Sequence, residues 1–316
     1  MSILSKPYFH DQAAAYEKLE SLLWVDGPVC PHCGGMEKAY KIKANPEKRV
    51  RHGLWKCGHC RKQFTVTIGT VFEASKVPLH KWLQAVFLVA SSKKGISANQ
   101  LHRTLEVTFK TAWFMGHRIR EAMRQGALAP FGIDGGTVEV DETFIGHDQA
   151  IKPKHQKKGR GYAHKFKVLS LVDRTTGRVQ SVVVDDLKAR TLVPILQDRI
   201  DAEARIMTDE AGQYRQLHRS FAEHHFVRHG IGEYGRGDIH TNTIEGFFSI
   251  FKRGMKGVYQ HCGKKHLHRY MAEFDFRYSH REATGYDDTA RYAKALSGIV
   301  GKRLLYRDSS AWQASP

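Results

Sequence analysis

The chain has 316 residues, enough to bury a sizeable core and to form two or three domains. Its 50 Lys and Arg residues outnumber its 32 Asp and Glu residues, and the resulting formal charge of +18 draws it towards polyanions. We find no signal peptide, no apolar segment long enough to span a bilayer and no basic amphipathic helix of the membrane-surface type, so we expect an intracellular, cytoplasmic protein whose partner is a nucleic acid.

Four of the five cysteines form two Cys-x-x-Cys pairs, Cys30 with Cys33 and Cys57 with Cys60. In a chain without a secretion signal this pattern favours metal binding over disulfides. Each pair presents two sulfur atoms from one tight turn, and two such turns complete a tetrahedral site. We therefore predict a structural Zn²⁺ ion in a zinc ribbon, with a redox-active Cys-x-x-Cys as the alternative. A short amphipathic helix, Tyr16 to Leu23, is expected before it.

The pattern becomes helical after the ribbon. Leu79 to Val89 predicts a helix with a broad apolar side, Ser97 is expected to cap a second helix, and a third runs from Phe109 to Gln125. A helix, a short turn and a basic helix in this order are typical of a helix-turn-helix. A plain three-helix packing domain is the alternative.

The segment Thr137 to Gly146 alternates apolar and polar residues, which predicts a half-buried strand. Val138 and Val140 are expected to face a core. Asp141 lies in the middle of this strand, although Asp is a poor strand former. Either Glu139, Asp141 and Thr143 form a solvated face, or Asp141 has a functional role.

A basic, glycine-containing loop without acidic residues follows this strand directly. Its position after Asp141 favours contact with a polyphosphate, and a solvated charged loop is the alternative. The residues that we assign to DNA contact are Lys152, Lys154, Lys157, Lys158, Arg160, Lys165 and Lys167.

An α/β pattern continues from there. Two apolar, β-branched runs, 167–172 and 178–184, predict a hairpin, and a helix with Pro194 in its first turn follows. A short strand from Arg205 ends at Asp209, where the carboxyl end of a strand in an α/β sheet commonly places a site. A helix from Tyr214 to His218, a fifth strand from His224 to Arg228, and two later helices complete the pattern.

The first of these later helices has an apolar face and carries Glu245, with Lys252 two turns further along the same side. Asp141, Asp209 and Glu245 would repel one another if they converged without a counter-charge. Divalent cations with oxygen ligands solve this problem, and two Mg²⁺ ions ~4 Å apart can promote displacement at a phosphodiester. The basic composition, an independent observation, also points to a polyphosphate. Asp185 and Asp186 would compete for the site if the strand register differed.

These features resemble the catalytic signature of DDE transposases and retroviral-type integrases, which have an RNase H-like fold. The cysteine pairs and the phrases Val-Asp-Glu-Thr-Phe-Ile-Gly (140–146) and His-Thr-Asn-Thr-Ile-Glu-Gly-Phe-Phe (240–248) narrow the resemblance. They are similar to bacterial insertion-sequence transposases of the ISXO type, which carry an N-terminal zinc ribbon. The resemblance covers about Tyr16 to Tyr278.

The resemblance implies an α/β fold class: an RNase H-like mixed sheet flanked by helices, preceded by a small zinc ribbon and a helical, helix-turn-helix-like domain. We expect an N-terminal helix and zinc ribbon over 1–74 and a helical DNA-binding domain over 75–128. The catalytic domain is expected over 129–285, with a C-terminal tail over 286–316.

The implied reaction is metal-dependent cleavage of transposon ends, followed by attack of the freed 3′-hydroxyl on target DNA. Asp141, Asp209 and Glu245 would hold two Mg²⁺ or Mn²⁺ ions. Lys252 would contact DNA near the ends.

By the same resemblance, His240 and Asn242 would support the catalytic pocket. Relatives sometimes have Asn or His in place of the third acid, so Asn242 is a rival to Glu245 for that position. The implied partners are double-stranded DNA, as terminal repeats and as target, and further copies of the chain on paired DNA ends in the bacterial nucleoid.

Two other functions fit parts of the sequence. A zinc-ribbon and helix-turn-helix DNA-binding regulator with an inert catalytic domain would use the first half alone, and the complete acid triad argues against it. A stand-alone nuclease would use the same acids without strand transfer.

Overall fold

The computed structural model describes residues 2–126, 129–147 and 164–305. The helices are α1 (Gln12–Leu23), α2 (Leu79–Ser91), α3 (Ala98–Leu105), α4 (Phe109–Met123), α5 (Ala189–Arg199), α6 (Asn242–Gly254), α7 (Lys264–Ser279) and α8 (Asp288–Ser297). The strands are β1 (Ala39–Lys41), β2 (Trp55–Cys57), β3 (Gln63–Phe64), β4 (Thr137–Ile145), β5 (Phe166–Asp173), β6 (Val179–Val184), β7 (Arg205–Asp209), β8 (Glu223–Val227), β9 (Gly235–Arg236) and β10 (Ile239–His240). No helix in the described ranges has both the length and the apolar character that crossing a membrane requires.

The chain divides into two compact units. The first contains the residues up to Ser92, the segment Ile96–Met123 and the C-terminal residues from Asp287 onwards. The second contains Lys93–Gly95 and Arg124–Tyr286.

The first unit begins with α1 and an antiparallel three-stranded ribbon in the order β1-β2-β3. Asp11 starts α1, because its carboxylate accepts a hydrogen bond from the Ala14 N–H at 2.7 Å. The indole N–H of Trp55 on β2 donates to Glu20 of α1 at 2.9 Å, and this bond fastens the ribbon to the helix.

The helical part of the first unit contains α2, α3, α4 and α8. The predicted cap at Ser97 is confirmed, since its hydroxyl accepts a hydrogen bond from the Gln100 N–H at 3.1 Å. Helix α8 falls within the range that the sequence assigns to a C-terminal tail. It forms because Asp287 caps it through the Ala290 N–H, and because Tyr292 packs its buried ring edge-on against Phe87 of α2.

The second unit is built on a five-stranded mixed sheet in the order β6-β5-β4-β7-β8. Strands β4, β5 and β6 are antiparallel neighbours, whereas β7 and β8 run parallel to β4. This mixed sheet with flanking helices, behind a ribbon with four clustered cysteines, confirms the predicted fold class.

Both faces of the sheet are covered. On one face, Val138 and Val140 of β4 pack with Leu192 and Leu196 of α5. On the other face, Ile145 belongs to the core that α6 and α7 complete. Strand β4 lies in the middle of the sheet, so its polar residues Glu139 and Thr143 are buried rather than solvated, contrary to the solvated-face alternative.

Two local predictions are wrong in detail. Pro194 lies at the sixth residue of α5 rather than in its first turn, because the helix begins earlier, where the Asp186 carboxylate accepts bonds from the Lys188 N–H and the Thr191 hydroxyl. The segment from Tyr214 to His218 contains two short 3₁₀ turns instead of an α-helix. Tyr214 ends the first turn and Leu217 begins the second, and both side chains enter the core.

Asp275 of α7 is buried against β6, where it accepts hydrogen bonds from the N–H and the hydroxyl of Ser181 at 2.8 and 2.7 Å. Burial raises the pKa of Asp275 to about 7, above its usual 3.8. The folded state therefore binds a proton more tightly than the unfolded state. The stability that this proton contributes is full below pH 4 and is lost as the pH rises through 7.

We predict that Asp275→Asn removes this pH dependence while keeping both contacts to Ser181. Between pH 4 and pH 8, wild type should lose on the order of 4 kcal/mol relative to the variant. Urea unfolding followed by circular dichroism across this range measures the difference. Parallel stability curves for the two proteins would contradict the prediction.

Candidate active site

The register of the sheet brings the first two predicted acids together. In the parallel pair β4 and β7, Val138 lies beside Ile206 and Glu139 beside Met207. Two residues further along each strand come Asp141 and Asp209, whose side chains point to the same face of the sheet as those of Glu139 and Met207. Asp209 is the last residue of β7, so the pair lies at the carboxyl end of that strand.

Helix α6 packs on this face and supplies the third acid. Ile244, Phe247 and Phe251 fill the core beneath the helix, which leaves Glu245 and Lys252 on its exposed side. An open cleft of about 380 Å³ lies between the strand ends and α6. Its lining residues are Asp141, Glu142, Asp209, His229, Glu245, Phe248, Ser249 and Lys252.

The predicted acids differ in their local contacts. Asp141 accepts a hydrogen bond from the Glu142 N–H at 2.7 Å, and Asp209 accepts one from the Ala211 N–H at 3.0 Å. Glu245 accepts a bond from the Thr241 hydroxyl at 3.1 Å, and nearly half of its side chain is exposed. Its carboxylate also lies 3.6 Å from the ring Nε2 of His229.

The cleft concentrates negative charge. Burial raises the pKa of Asp141 to about 8, and the nearby carboxylates Glu142, Asp209 and Glu245 add to this rise. Burial also raises the pKa values of Glu142 and Asp209. Burial lowers the pKa of Lys252, while the charge of Asp141 opposes that shift. A cation in the cleft would restore the charged form of these acids.

The donor set fits a hard divalent cation. Four carboxylates and one serine hydroxyl supply oxygen ligands of the kind that Mg²⁺ and Mn²⁺ prefer. In the described part of the chain, the only group in which three or more metal-ligand atoms lie within 4.8 Å of one another is that of the four ribbon cysteines. The acids therefore line the cleft at wider spacings.

A buried ion pair fastens α6 to β4. Glu139 is fully buried, and one of its oxygens accepts a bond from the Arg174 Nε–H at 2.6 Å. Its other oxygen accepts a bond from the Ile244 N–H at 2.8 Å, in the first turn of α6. Arg174 also donates to the carbonyl oxygens of Asp238 and His240, both at 2.6 Å. Glu139 thus connects the strand that carries Asp141 to the helix that carries Glu245.

The other predicted site residues have different positions. His240 accepts a bond from Arg174 on its Nδ1 at 2.9 Å and is not among the residues that line the cleft. Asn242 is the first residue of α6, is exposed, and does not line the cleft either. Lys165 is close enough to Lys252 to help lower its pKa, whereas Lys167 lies within β5.

The remaining predictions fall outside the site or outside the described residues. Asp185 is exposed and pairs with Lys264 at 2.8 Å, and Asp186 accepts bonds from the Lys188 N–H and the Thr191 hydroxyl; neither residue lines the cleft. The predicted DNA contacts that lie outside the described residues are Lys152, Lys154, Lys157, Lys158 and Arg160.

Sequence reasoning missed three residues. Glu142 lines the cleft and accepts a bond from the Gln213 amide at 2.8 Å, and its position next to Asp141 was a usable signal. His229 reaches the cleft from the segment after β8, where no sequence pattern marks it. Glu139 looked like a solvated residue because the alternation of β4 does not reveal that both faces are covered.

The cysteines form a compact group in the ribbon. The sulfur atoms of Cys30 and Cys60 are 3.7 Å apart, those of Cys33 and Cys57 are 3.6 Å apart, and all four lie within 4.8 Å of one another. Backbone N–H groups of Cys60 and His59 lower the pKa of the Cys57 thiol to about 7. The Gly35 N–H lowers the pKa of Cys33, but hydrogen bonds with the neighbouring thiols outweigh that effect, and the pKa of Cys33 rises to about 11. Four sulfur donors at these spacings fit a structural Zn²⁺ ion.

Carboxylates at strand ends and on the following helix, behind a four-cysteine ribbon, define a class of nucleic-acid-processing enzymes. Residues 134–279 match the family model of the ISXO2-like transposase domain, and residues 10–63 match that of the transposase zinc-ribbon domain. The predicted resemblance is confirmed over these ranges: the chain contains an ISXO2-like transposase domain preceded by a transposase zinc ribbon.

Two relatives agree with this assignment. A protein of the transposable element ISH50 from Halobacterium salinarum is 29% identical over 286 residues, which are 85% of this chain and 91% of that protein. A transposase-like protein from Haemophilus influenzae is 25% identical over 105 residues, 33% of this chain and 84% of that protein.

Among solved structures, a chain of the simian T-cell lymphotropic virus intasome, in complex with the PP2A regulatory subunit B56 gamma, is 12% identical. The match covers 57% of this chain and 68% of the viral chain, with a TM-score of 0.29. At that score the likeness carries no weight for fold or function.

We predict that removing zinc unfolds the ribbon. Trp24 and Trp55 stack edge-on at 5.7 Å in the small core that Cys30 and Cys57 complete. Cys57→Ser or a zinc chelator should therefore expose both indoles and shift tryptophan emission to longer wavelength, because a small metal domain cannot bury enough apolar surface alone. Cys262→Ser, outside the ribbon, is the control. Unchanged emission after measured zinc release would contradict the prediction.

We predict that Glu139→Gln destabilises the second unit by about 3 kcal/mol, because it leaves the Arg174 guanidinium without its buried counter-charge. The amide oxygen can still accept the Ile244 N–H, but the amide NH2 then faces the Arg174 Nε–H, so the variant loses both the charge and one acceptor. Adding Arg174→Met should recover part of the stability. Glu282→Gln, at an exposed acid, is the control in urea unfolding. A difference below about 0.5 kcal/mol would contradict the prediction.

Proposed function

We propose that this transposase cleaves the ends of its insertion sequence and joins the freed 3′-hydroxyls to target DNA, using a DDE triad of Asp141, Asp209 and Glu245. One observation carries the proposal. Three separate elements, β4, β7 and α6, bring these carboxylates to one open cleft together with Lys252. The alternative third ligand, Asn242, lies on the same helix without lining that cleft.

Each residue receives a role from its position. Asp141 and Asp209, on neighbouring parallel strands, would hold the metal ions, and Glu245 would complete the second metal site from α6. Two Mg²⁺ or Mn²⁺ ions, when bound, activate the attacking oxygen and stabilise the leaving oxygen in a phosphodiester displacement. The Glu139 ion pair keeps the helix and the strand at a fixed separation.

Positive charge near the cleft would hold the DNA backbone. Lys252 lies at the cleft and Lys165 lies close to it, so both can neutralise phosphates beside the acids. We assign recognition of the terminal repeats to the zinc ribbon and to the pair α3 and α4. A homo-oligomer on paired ends would supply one cleft for each DNA end.

We predict that strand transfer in vitro depends on the three acids. A duplex with the element's terminal repeat and a target plasmid, mixed with protein and Mg²⁺, should give joined products with wild type. Asp141→Asn, Asp209→Asn and Glu245→Gln should each lower the rate by at least about a thousandfold, because each removes a metal ligand. Asp198→Asn, at an acid of α5 that is 80% exposed, is the matched control.

The outcomes separate the alternatives. Binding of the terminal repeat without cleavage or joining by any form would indicate a regulator, and cleavage without joining would indicate a nuclease. Activity that survives Glu245→Gln but is lost in Asn242→Ala would move the third ligand to Asn242.

A further inference from the structure

A second cavity lies next to the acid cleft, around the end of β7. Its volume is about 560 Å³, and it shares Asp209 with the cleft. Side chains alternate along a strand, so Met207 and Asp209 face α6 whereas Ile206 and Thr208 face the other side of the sheet. Thr208 bonds to His224 of β8 at 2.9 Å on that other side, where the second cavity opens.

The cavity combines an aromatic surface with positive charge. Phe226 of β8 lines it and is 39% exposed, so one side of its ring is accessible from the cavity. The guanidinium of Arg228 lies 5.5 Å from the centre of the Phe226 ring. Arg215 and His218 line the cavity from the segment after β7, and Ile231 adds exposed apolar surface.

Glu210, the second of the two acidic residues that line this cavity, has backbone partners. The carboxylate of Glu210 accepts bonds from the N–H groups of His229 and Gly230 at 2.7 and 2.8 Å. Its role in the structure is to hold the 229–230 segment against the end of β7. That segment separates the two cavities, since His229 lines the acid cleft and Gly230 lines the second cavity.

We propose that the second cavity binds one unpaired nucleotide of the DNA substrate, next to the phosphate that is cleaved. The base would stack on Phe226, and Arg215 and Arg228 would contact the flanking phosphates. This proposal rests on the proposed function, because it places the scissile phosphate in the acid cleft.

Size, chemistry and position support this occupant. Pockets of about 300–1,000 Å³ hold ligands of nucleotide size. Bases of any sequence stack on aromatic side chains, and arginines neutralise the phosphates between them. A DNA strand that crosses the end of β7 would pass from Asp209 in the cleft directly into the second cavity. The nucleotide beside the scissile phosphate is therefore the one that can enter this cavity.

The test uses the fluorescent base 2-aminopurine in duplexes of the element's terminal repeat. Separate duplexes carry the probe base immediately before or immediately after the cleavage position. In one set of duplexes the probe is base-paired, and in the other set it is unpaired. Binding is measured with the full-length protein without added Mg²⁺ or Mn²⁺, so that it does not depend on cleavage. Wild type should quench the unpaired probe and bind that duplex roughly tenfold tighter than the paired one.

The variants isolate the two contacts. Phe226→Ala should lose the quenching and the preference for the unpaired base, and Phe226→Tyr should keep both. Arg215→Gln should weaken binding of both duplexes several-fold, whereas Arg219→Gln, an exposed arginine of the same segment that does not line the cavity, should not. Since Phe226 and Arg215 are both exposed, these substitutions leave the core intact.

Two results would overturn the proposal: equal quenching and preference in wild type and Phe226→Ala, or no preference for the unpaired base by any form. Cleavage with Mg²⁺ is measured in the same samples. Quenching lost in Phe226→Ala but no cleavage by wild type would overturn the proposed function and leave the nucleotide site standing. If wild type cleaves and Phe226→Ala changes neither the quenching nor the preference for the unpaired base, the nucleotide site is overturned and the proposed function stands.

Discussion

The second unit depends on the buried contact between Glu139 and Arg174. An acidic cleft is intrinsically unstable, because the carboxylates on β4, β7 and α6 repel one another and α6 would relieve the strain by moving away. Glu139 opposes that movement from the strand itself, with one oxygen on Arg174 and the other on the backbone of α6. The ion pair of Glu139 and Arg174 therefore opposes the repulsion between the cleft carboxylates, and Glu139 lies only two residues before Asp141.

This arrangement separates structural charge from reactive charge. Glu139 is fully buried and has two close partners, so it is neutralised within the fold. Asp141, on the same strand face, points into an open cleft where the nearest charges are mostly negative. The same strand thus carries one carboxylate that holds the fold together and another that remains available to a cation.

Sequence could predict the features that have a local signal. The spacing of the cysteines predicts a metal site. An Asp within a strand-like segment and a Glu on an apolar helix each indicate a candidate site residue. The burial of both faces of β4 has no such local signal. The alternation of apolar and polar residues is the same whether the polar face contacts water or a helix whose groups hydrogen-bond to it. Glu139 and its contact with α6 therefore required the packing of residues 105 positions apart.

The second cavity had no sequence signal for a related reason. Phe226 and Arg215 belong to separate segments, and a phenylalanine within a strand ordinarily indicates core. In this chain β8 is an edge strand, which leaves one side of Phe226 uncovered. Exposure at an edge is a property of strand order, and strand order is fixed by tertiary pairing.

The position of α8 has a consequence for synthesis of the chain. Tyr292 of α8 completes an aromatic group with Phe9 and Phe87. Phe9 is synthesised almost three hundred residues before Tyr292. Domains fold as units while the ribosome is still working, beginning at the N-terminus. The first unit cannot finish folding in that order, since its last helix emerges after the whole second unit. The second unit can therefore reach its folded state first, and the part of α2 that α8 covers stays exposed until α8 has been made.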